Sequence, residues 1–212
     1  MSILIYTYIG YISVFATFLT LIVAILRNKT LIKEMRVLFL YVLIAAFIEI
    51  LSSTFAKFNI KNLYLINLFT VAECTILSLF YLKIFTIKKY SIIIFVLLFC
   101  FYSIFIYDFI FLHGVNNMDV FPVIVESFIL MGLSLFYFYE LAKKMEYVDI
   151  LSNPLFWVNS SILIYFSGNL FLFIFSNYIL TLPNNKLWSL HDILNIIYNT
   201  LFIIAFWKTS KK

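Results

Sequence analysis

Seven apolar runs of about 20 residues, separated by short polar connections, constrain this sequence more than any other feature. A helix needs about 20 apolar residues to cross the hydrocarbon core of a bilayer, whereas barrel strands are shorter and alternate with period two. We therefore predict an all-α polytopic membrane protein, a seven-transmembrane-helix bundle that occupies residues 1–212 as one domain. The predicted spans are about 3–26, 37–56, 63–85, 90–112, 120–141, 154–181 and 187–207.

The composition agrees with a location in the lipid bilayer. Hydrophobic residues make up 65% of the chain and charged residues 12%, and the mean hydropathy is +1.07. A soluble domain would carry about 25% charged residues. The net charge of +5 comes from basic residues scattered between the spans, which indicates orientation in a membrane; we expect no nucleic-acid partner. Cys74 and Cys100 both fall inside apolar spans, which argues against a disulfide or a Cys-x-x-Cys zinc site.

Basic residues divide unequally between the two sides of a seven-span chain. One side would hold Arg27, Lys29, Lys33, Arg36, Lys83, Lys88, Lys89, Lys143, Lys144, Lys208, Lys211 and Lys212, and the other Lys57, Lys61 and Lys186. Cytoplasmic loops are enriched in lysine and arginine. The distribution therefore predicts that the N-terminus is outside and the C-terminus is cytoplasmic.

The last span carries a stripe of polar side chains. His191, Asn195, Tyr198 and Asn199 fall on one face of a helix at about 100° per residue. Such a face is costly against acyl chains, so it must contact other helices or a wet cavity.

Three glutamates, Glu49, Glu73 and Glu126, lie within spans, and no lysine or arginine lies deep in any span. A carboxylate at this depth costs several kcal/mol unless it is paired or neutralised. Each acid is therefore protonated, paired with a cation that is not part of the chain, or exposed to a water-filled pocket.

Polar residues from several spans fall at similar depths. A rise of 1.5 Å per residue places His191 about 6 Å, Glu126 about 9 Å, Glu49 about 10 Å, Asn195 about 12 Å, Glu73 about 15 Å and Asn169 about 16 Å from the outer end. This agreement predicts a polar pocket that opens to the outside and is formed by spans two, three, five, six and seven. We select as pocket residues Glu49, Glu73, Glu126, Asn169, His191, Asn195 and Asn199. The alternative is that such groups hydrogen-bond across packed helices and only hold the bundle together.

Familiar catalytic motifs are missing from the sequence. It has no lysine in the middle of the seventh span for a retinal, no Glu-x-x-His pairs for a di-iron site, and neither GxSxG nor a P-loop. We predict no catalytic residue, no metal site and no cofactor. We expect the abundant Phe and Tyr to serve core packing and lipid contact, not a ligand-binding aromatic cage.

Three stretches carry a resemblance to known proteins: NLYLINLFTVAECTILSLFY at 62–81, NPLFWVNSSILIYFSGNLFLFI at 153–174 and LHDILNIIYNTLFIIAFW at 190–207. They resemble segments of a family of small seven-helix bacterial inner-membrane proteins. The resemblance implies a multi-pass protein of the bacterial inner membrane that works beside a sensor kinase, and it implies no catalytic residue.

Three functions agree with these features. The leading hypothesis is a sensory or receptor-like component whose outer pocket binds a small ligand, a cation or a proton. Its basic inner loops, especially 27–36, would contact a signalling partner at the cytoplasmic face. The alternative is a small-molecule or ion/proton-coupled transporter that uses Glu73 and Glu126. The third is an intramembrane lipid-modifying enzyme with Glu73 and His191 as acid and base. The oligomeric state stays open.

The predicted orientation can be tested by cysteine labelling in intact cells. A cysteine introduced at Lys186 should react with a membrane-impermeant thiol reagent, and one introduced at Lys88 should not, because only the first would face the outside. The chain without an added cysteine is the control. The reverse labelling pattern would invalidate the depth argument.

Overall fold

The structure is a computed structural model, and it describes residues 2–58, 60, 62–112, 120–143, 149–174 and 188–209. These residues form α-helices and short helical turns, without strands. The helices are α1 (Ser2–Arg27), α2 (Lys33–Lys57), α3 (Leu63–Ile84), α4 (Lys88–Tyr107), α5 (Val120–Lys143), α6 (Pro154–Ile174) and α7 (Trp188–Lys208).

Helix boundaries agree with the predicted spans to within a few residues, with two differences. Helix α2 begins at Lys33, so residues 33–36 are helical although the sequence analysis assigned them to a connection. Leu31 and Met35 are both fully buried, so this end of the helix is held by packing. Helix α4 gives way to a π-helical turn, Asp108–Leu112. Residues 175–181 of the predicted sixth span lie outside the described residues.

All seven helices are long and apolar enough to cross a membrane. Their outer faces carry large exposed apolar side chains, such as Phe15 on α1 and Phe95 and Phe99 on α4. Apolar patches of this extent are rare on soluble monomers, whereas lipid chains accommodate them without cost. These features support a multi-pass membrane protein.

Side-chain contacts show that consecutive helices run antiparallel from α2 to α7. Tyr41 and Ser52 of α2 meet Glu73 of α3 and Asn62 just before it, in reversed order. The same reversal is seen where Ser134 of α5 bonds the backbone of Asn159 in α6, and Tyr137 bonds Asn153. The chain therefore folds as an up-and-down bundle.

The contacts between helices close a ring. The ring order is α1, α2, α3, α5, α6 and α7, and α7 returns to α1. Helix α4 lies outside the ring, against α3 and α5. Helices α1 and α7 are parallel neighbours, since Ser13 contacts Asn195 near one end and the Arg27 guanidinium lies 4.2 Å from the Trp207 ring centroid at the other.

One end of the bundle collects nearly all the described basic residues. It is the end at which α1, α3, α5 and α7 finish, and we call it the basic end. Its basic residues are Arg27, Lys29, Lys33, Arg36, Lys83, Lys88, Lys89, Lys143 and Lys208. At the opposite end the described basic residue is Lys57. The orientation of these ends relative to the cell stays a prediction.

The half of the bundle nearest the basic end is packed tightly. Phe80, Tyr81, Leu130, Ile162 and Phe206 are all essentially inaccessible. Several of the polar groups there bond one another: Asn159 Oδ1 accepts a hydrogen bond from the Tyr81 hydroxyl (2.9 Å). Its backbone oxygen accepts one from Ser134 (2.8 Å). This half of the bundle is densely packed, and we call it the floor.

A polar seam joins α1 to α7. Thr20 Oγ1 lies 2.9 Å from Asn199 Oδ1, and the Asn195 amide donates to Ser13 Oγ (2.8 Å). The Asn199 amide in turn donates to the Asn195 side-chain oxygen (2.9 Å). In hydrocarbon such hydrogen bonds help to hold neighbouring helices together.

Replacement of Thr20 by valine tests the seam. Thr20→Val keeps the shape of the side chain but removes the hydroxyl, so the free energy of unfolding should fall by about 1 kcal/mol. Unfolding by SDS titration in mixed micelles measures the change. The matched control is Thr200→Val on α7, since Thr200 is exposed and bonds only the Ile196 carbonyl of its own helix. Equal losses in both variants would show that the seam adds nothing.

Candidate functional site

A cavity of about 440 Å³ lies inside the ring, in the half of the bundle away from the basic end. Every ring helix contributes at least one side chain to its wall, whereas none of the lining residues comes from α4. All the residues selected from the sequence line this one cavity: Glu49, Glu73, Glu126, Asn169, His191, Asn195 and Asn199. Their placement around one space is a structural fact; ligand binding there stays a proposal.

The sequence analysis did not include α1 in the pocket. Thr17 of this helix lines the cavity, and Ser13 and Thr20 bond the asparagines that flank it. These three hydroxyl residues recur at the spacing of one helical face, which was the available signal. Hydroxyl groups are common in membrane helices, so the pattern alone did not distinguish a pocket wall from helix packing.

Glu73 is held by a tyrosine. The residue is 6% exposed, and its Oε1 atom accepts a hydrogen bond from the Tyr41 hydroxyl at 2.6 Å. The bond joins α2 to α3, and both residues line the cavity. Because a phenol donates well to a carboxyl oxygen, this contact orients Glu73 and satisfies part of its hydrogen-bonding capacity.

Glu126 is more isolated. It is 2% exposed, and its Oε1 atom has no hydrogen-bond partner among the described residues. Glu73 is close enough to interact with it electrostatically. The described lining residues include no lysine or arginine that could pair with either acid. Burial of a carboxyl oxygen without a hydrogen-bond partner costs free energy. This atom is therefore the strongest indication that a ligand occupies the cavity.

Glu49 is less buried than the other two acids. It is only partly buried, and Ser53 of the same helix is within hydrogen-bond reach of its carboxyl. Asp192 of α7 interacts with it electrostatically. The two carboxyls therefore place acidic groups of α2 and α7 near each other.

Asn169 and His191 connect α6 to α7 at the cavity wall. The Oδ1 atom of Asn169 can only accept, so the His191 Nδ1 atom donates to it over 2.9 Å. Close approach of the two helices depends on Gly168, where a Cβ atom would lie 2.5 Å from the nearest Leu194 methyl carbon.

Aromatic rings form much of the remaining wall. The Tyr41 and Phe69 rings are stacked with their centroids 6.2 Å apart. The ring centroids of Tyr165 and Tyr198 lie 4.5 Å apart. Tyr41 also meets Tyr198 edge to face at 6.3 Å. The expectation that the aromatic residues serve only core and lipid contact is therefore incomplete, because all four of these rings line the cavity.

The site combines acids without basic partners, amides engaged in helix contacts, and aromatic faces. Within the described residues no group of three His, Cys, Asp or Glu is arranged to hold a metal ion. A concave space with few polar groups and largely apolar walls is typical of small-molecule sites.

Comparisons with protein-family models, with curated proteins and with solved structures find no match to this chain. The resemblance to small seven-helix bacterial inner-membrane proteins therefore stays a prediction.

A double-mutant cycle tests the Tyr41–Glu73 contact. Tyr41→Phe should lower the free energy of unfolding by about 1–2 kcal/mol, because Glu73 loses its donor while the ring packing is kept. In a Glu73→Gln background the same substitution should cost less, and the difference is the coupling energy. SDS-induced unfolding gives all four values. Tyr139→Phe, at an exposed ring on α5, is the control; equal effects of Tyr41→Phe in both backgrounds would contradict the coupling.

Proposed function

We propose that this protein is a sensory, receptor-like membrane component that binds a small ligand in the ring cavity and signals through a partner protein. The observation that carries the proposal is the Glu126 Oε1 atom, which is buried, lines the cavity and has no partner among the described residues. A ligand that bonds this atom would relieve the cost of its burial.

The asymmetry of the bundle supports a receptor more than a carrier. The cavity occupies one half, and the other half is the packed floor around Tyr81, Leu130 and Ile162. A receptor needs access from one side only, whereas a carrier also needs a state that opens through that floor. In the proposed orientation the cavity faces the outside of a bacterial inner membrane.

Transmission to a partner is proposed at the basic end. Helices α6 and α7 both line the cavity and continue to that end, where Lys208 lies 6.0 Å from the Trp157 ring centroid. A ligand that shifts α7 against α6 would therefore displace basic side chains at the far end. The connections between the helices are too short to form an output domain, and in this proposal the signal passes to a second protein.

An ion- or proton-coupled transporter is the second candidate. It is favoured by the electrostatic interaction between Glu73 and Glu126, because buried acids of this kind mark ion and proton pathways in transporters. The third hypothesis, a lipid-modifying enzyme, receives no added support. Its two proposed groups are engaged elsewhere, Glu73 with Tyr41 and His191 with Asn169.

Native mass spectrometry of the gently purified protein tests the binding function. Wild type should carry extra mass that the Glu49→Gln, Glu73→Gln, Glu126→Gln triple variant lacks, since the three acids are the ionisable carboxyls of the cavity. The control is the Glu34→Gln, Glu140→Gln double variant, which changes two acids outside the cavity and should keep the adduct.

Two outcomes would contradict the proposal. A bare chain in both wild type and triple variant, with equal stability, would indicate that the acids only hold helices together. Solute or proton flux in proteoliposomes that is lost in Glu73→Gln would establish the transporter instead.

A further inference from the structure

We infer that the cavity takes a small organic cation, with its ammonium group beside Glu126 and Glu73 and its apolar body against the rings of Tyr41, Tyr165 and Tyr198. This inference rests on the proposed binding function and names its ligand class.

The acidic lining of the cavity favours cations over anions. Three carboxyl groups line it, and no lysine or arginine does among the described residues. An anion would leave Glu126 Oε1 without a donor, whereas an ammonium group would supply N–H donors to this partnerless atom and a counter-charge to a carboxylate that no lysine or arginine of the lining pairs. One positive charge would also interact favourably with Glu73, which already lies within electrostatic reach of Glu126.

The oxygen atoms available at the site argue against a bare metal ion as the occupant. Hard cations are bound by about six to eight oxygen ligands arranged around the ion. The side-chain oxygens of Asn195 and Asn199 already accept hydrogen bonds, from Asn199 and Thr20 respectively. The Asn169 oxygen accepts from His191, and Glu73 Oε1 accepts from Tyr41. Within the described residues no three His, Cys, Asp or Glu side chains are arranged to hold an ion, so a coordination shell of carboxylates is not formed there.

The aromatic wall supplies what an organic cation needs. A cation over the face of a tyrosine or phenylalanine ring is attracted by the ring electrons, and the attraction is larger where water is absent. Tyr41, Phe69, Tyr165 and Tyr198 form one connected set of rings around the acids. The volume of about 440 Å³ is far larger than a single ion requires and lies within the usual range for small-molecule sites.

Three probes of nearly the same shape test the inference. They are 2-phenylethylamine, which is a cation at neutral pH, 2-phenylethanol, which is neutral, and phenylacetate, which is an anion. Binding to the purified full chain in detergent is measured by calorimetry at fixed ionic strength. We expect the amine to bind at least about tenfold more tightly than the alcohol, because only the amine neutralises the buried acids, and we expect no binding of phenylacetate.

Variants of the acids locate the charge that the amine recognises. Glu126→Gln should weaken amine binding by about 30-fold or more while leaving the weak binding of the alcohol unchanged. Glu140→Gln, on the same helix but outside the cavity, should bind the amine like wild type. Helix content and elution volume verify that each variant is folded, and Glu73→Gln provides an independent loss of charge if Glu126→Gln does not fold.

The outcomes separate this inference from the function on which it rests. Equal affinity for amine and alcohol, or full amine affinity in a folded Glu126→Gln protein, overturns the organic cation. So does stabilisation by Na⁺ alone, lost in Glu126→Gln, without amine binding. In these cases an adduct that depends on the three acids in native mass spectrometry still supports the receptor proposal. If neither the adduct nor any probe binding is found, both are wrong.

Discussion

The cost of burying carboxyl groups in hydrocarbon is the constraint on which this structure depends. Water cannot solvate Glu73 and Glu126 through the lipid, so the protein has to surround them with its own groups. Six helices close around the acids, and the Tyr41 hydroxyl satisfies one of them. The Glu126 Oε1 atom is left without a hydrogen-bond partner among the described residues.

The two halves of the bundle differ in the side chains that fill their interiors. Near the basic end, large apolar side chains fill the interior, and Asn159 is bonded on both its side-chain and backbone oxygens. Around the cavity, hydroxyl and amide groups hold the helices apart at fixed distances, as the Ser13–Asn195 and Thr20–Asn199 contacts show. The packed half closes the cavity on one side, and the polar seam joins α1 to α7 at its wall.

Much of this arrangement could be predicted from the sequence. The lengths of the apolar runs predicted the positions of the helices. The energetic cost of intramembrane acids indicated that Glu49, Glu73 and Glu126 line one polar space, and the structure places all three around one cavity. The exclusion of α4 from the ring could not be predicted, because its apolar sequence resembles that of the ring helices. The aromatic wall was also missed, since a tyrosine that faces a cavity and one that faces lipid have the same spacing in the sequence.

The position of α4 outside the ring has an electrical consequence. Of the six ring helices, α1, α3, α5 and α7 begin at the cavity end, whereas only α2 and α6 finish there. Each helix start carries about half a positive charge from its unpaired N–H groups, and each helix end a similar negative charge. The backbone dipoles of the ring therefore do not cancel at that end of the bundle. Their effect falls off within about one helical turn, so the excess positive charge acts at the helix starts and not beside Glu73, which lies ten residues inside α3.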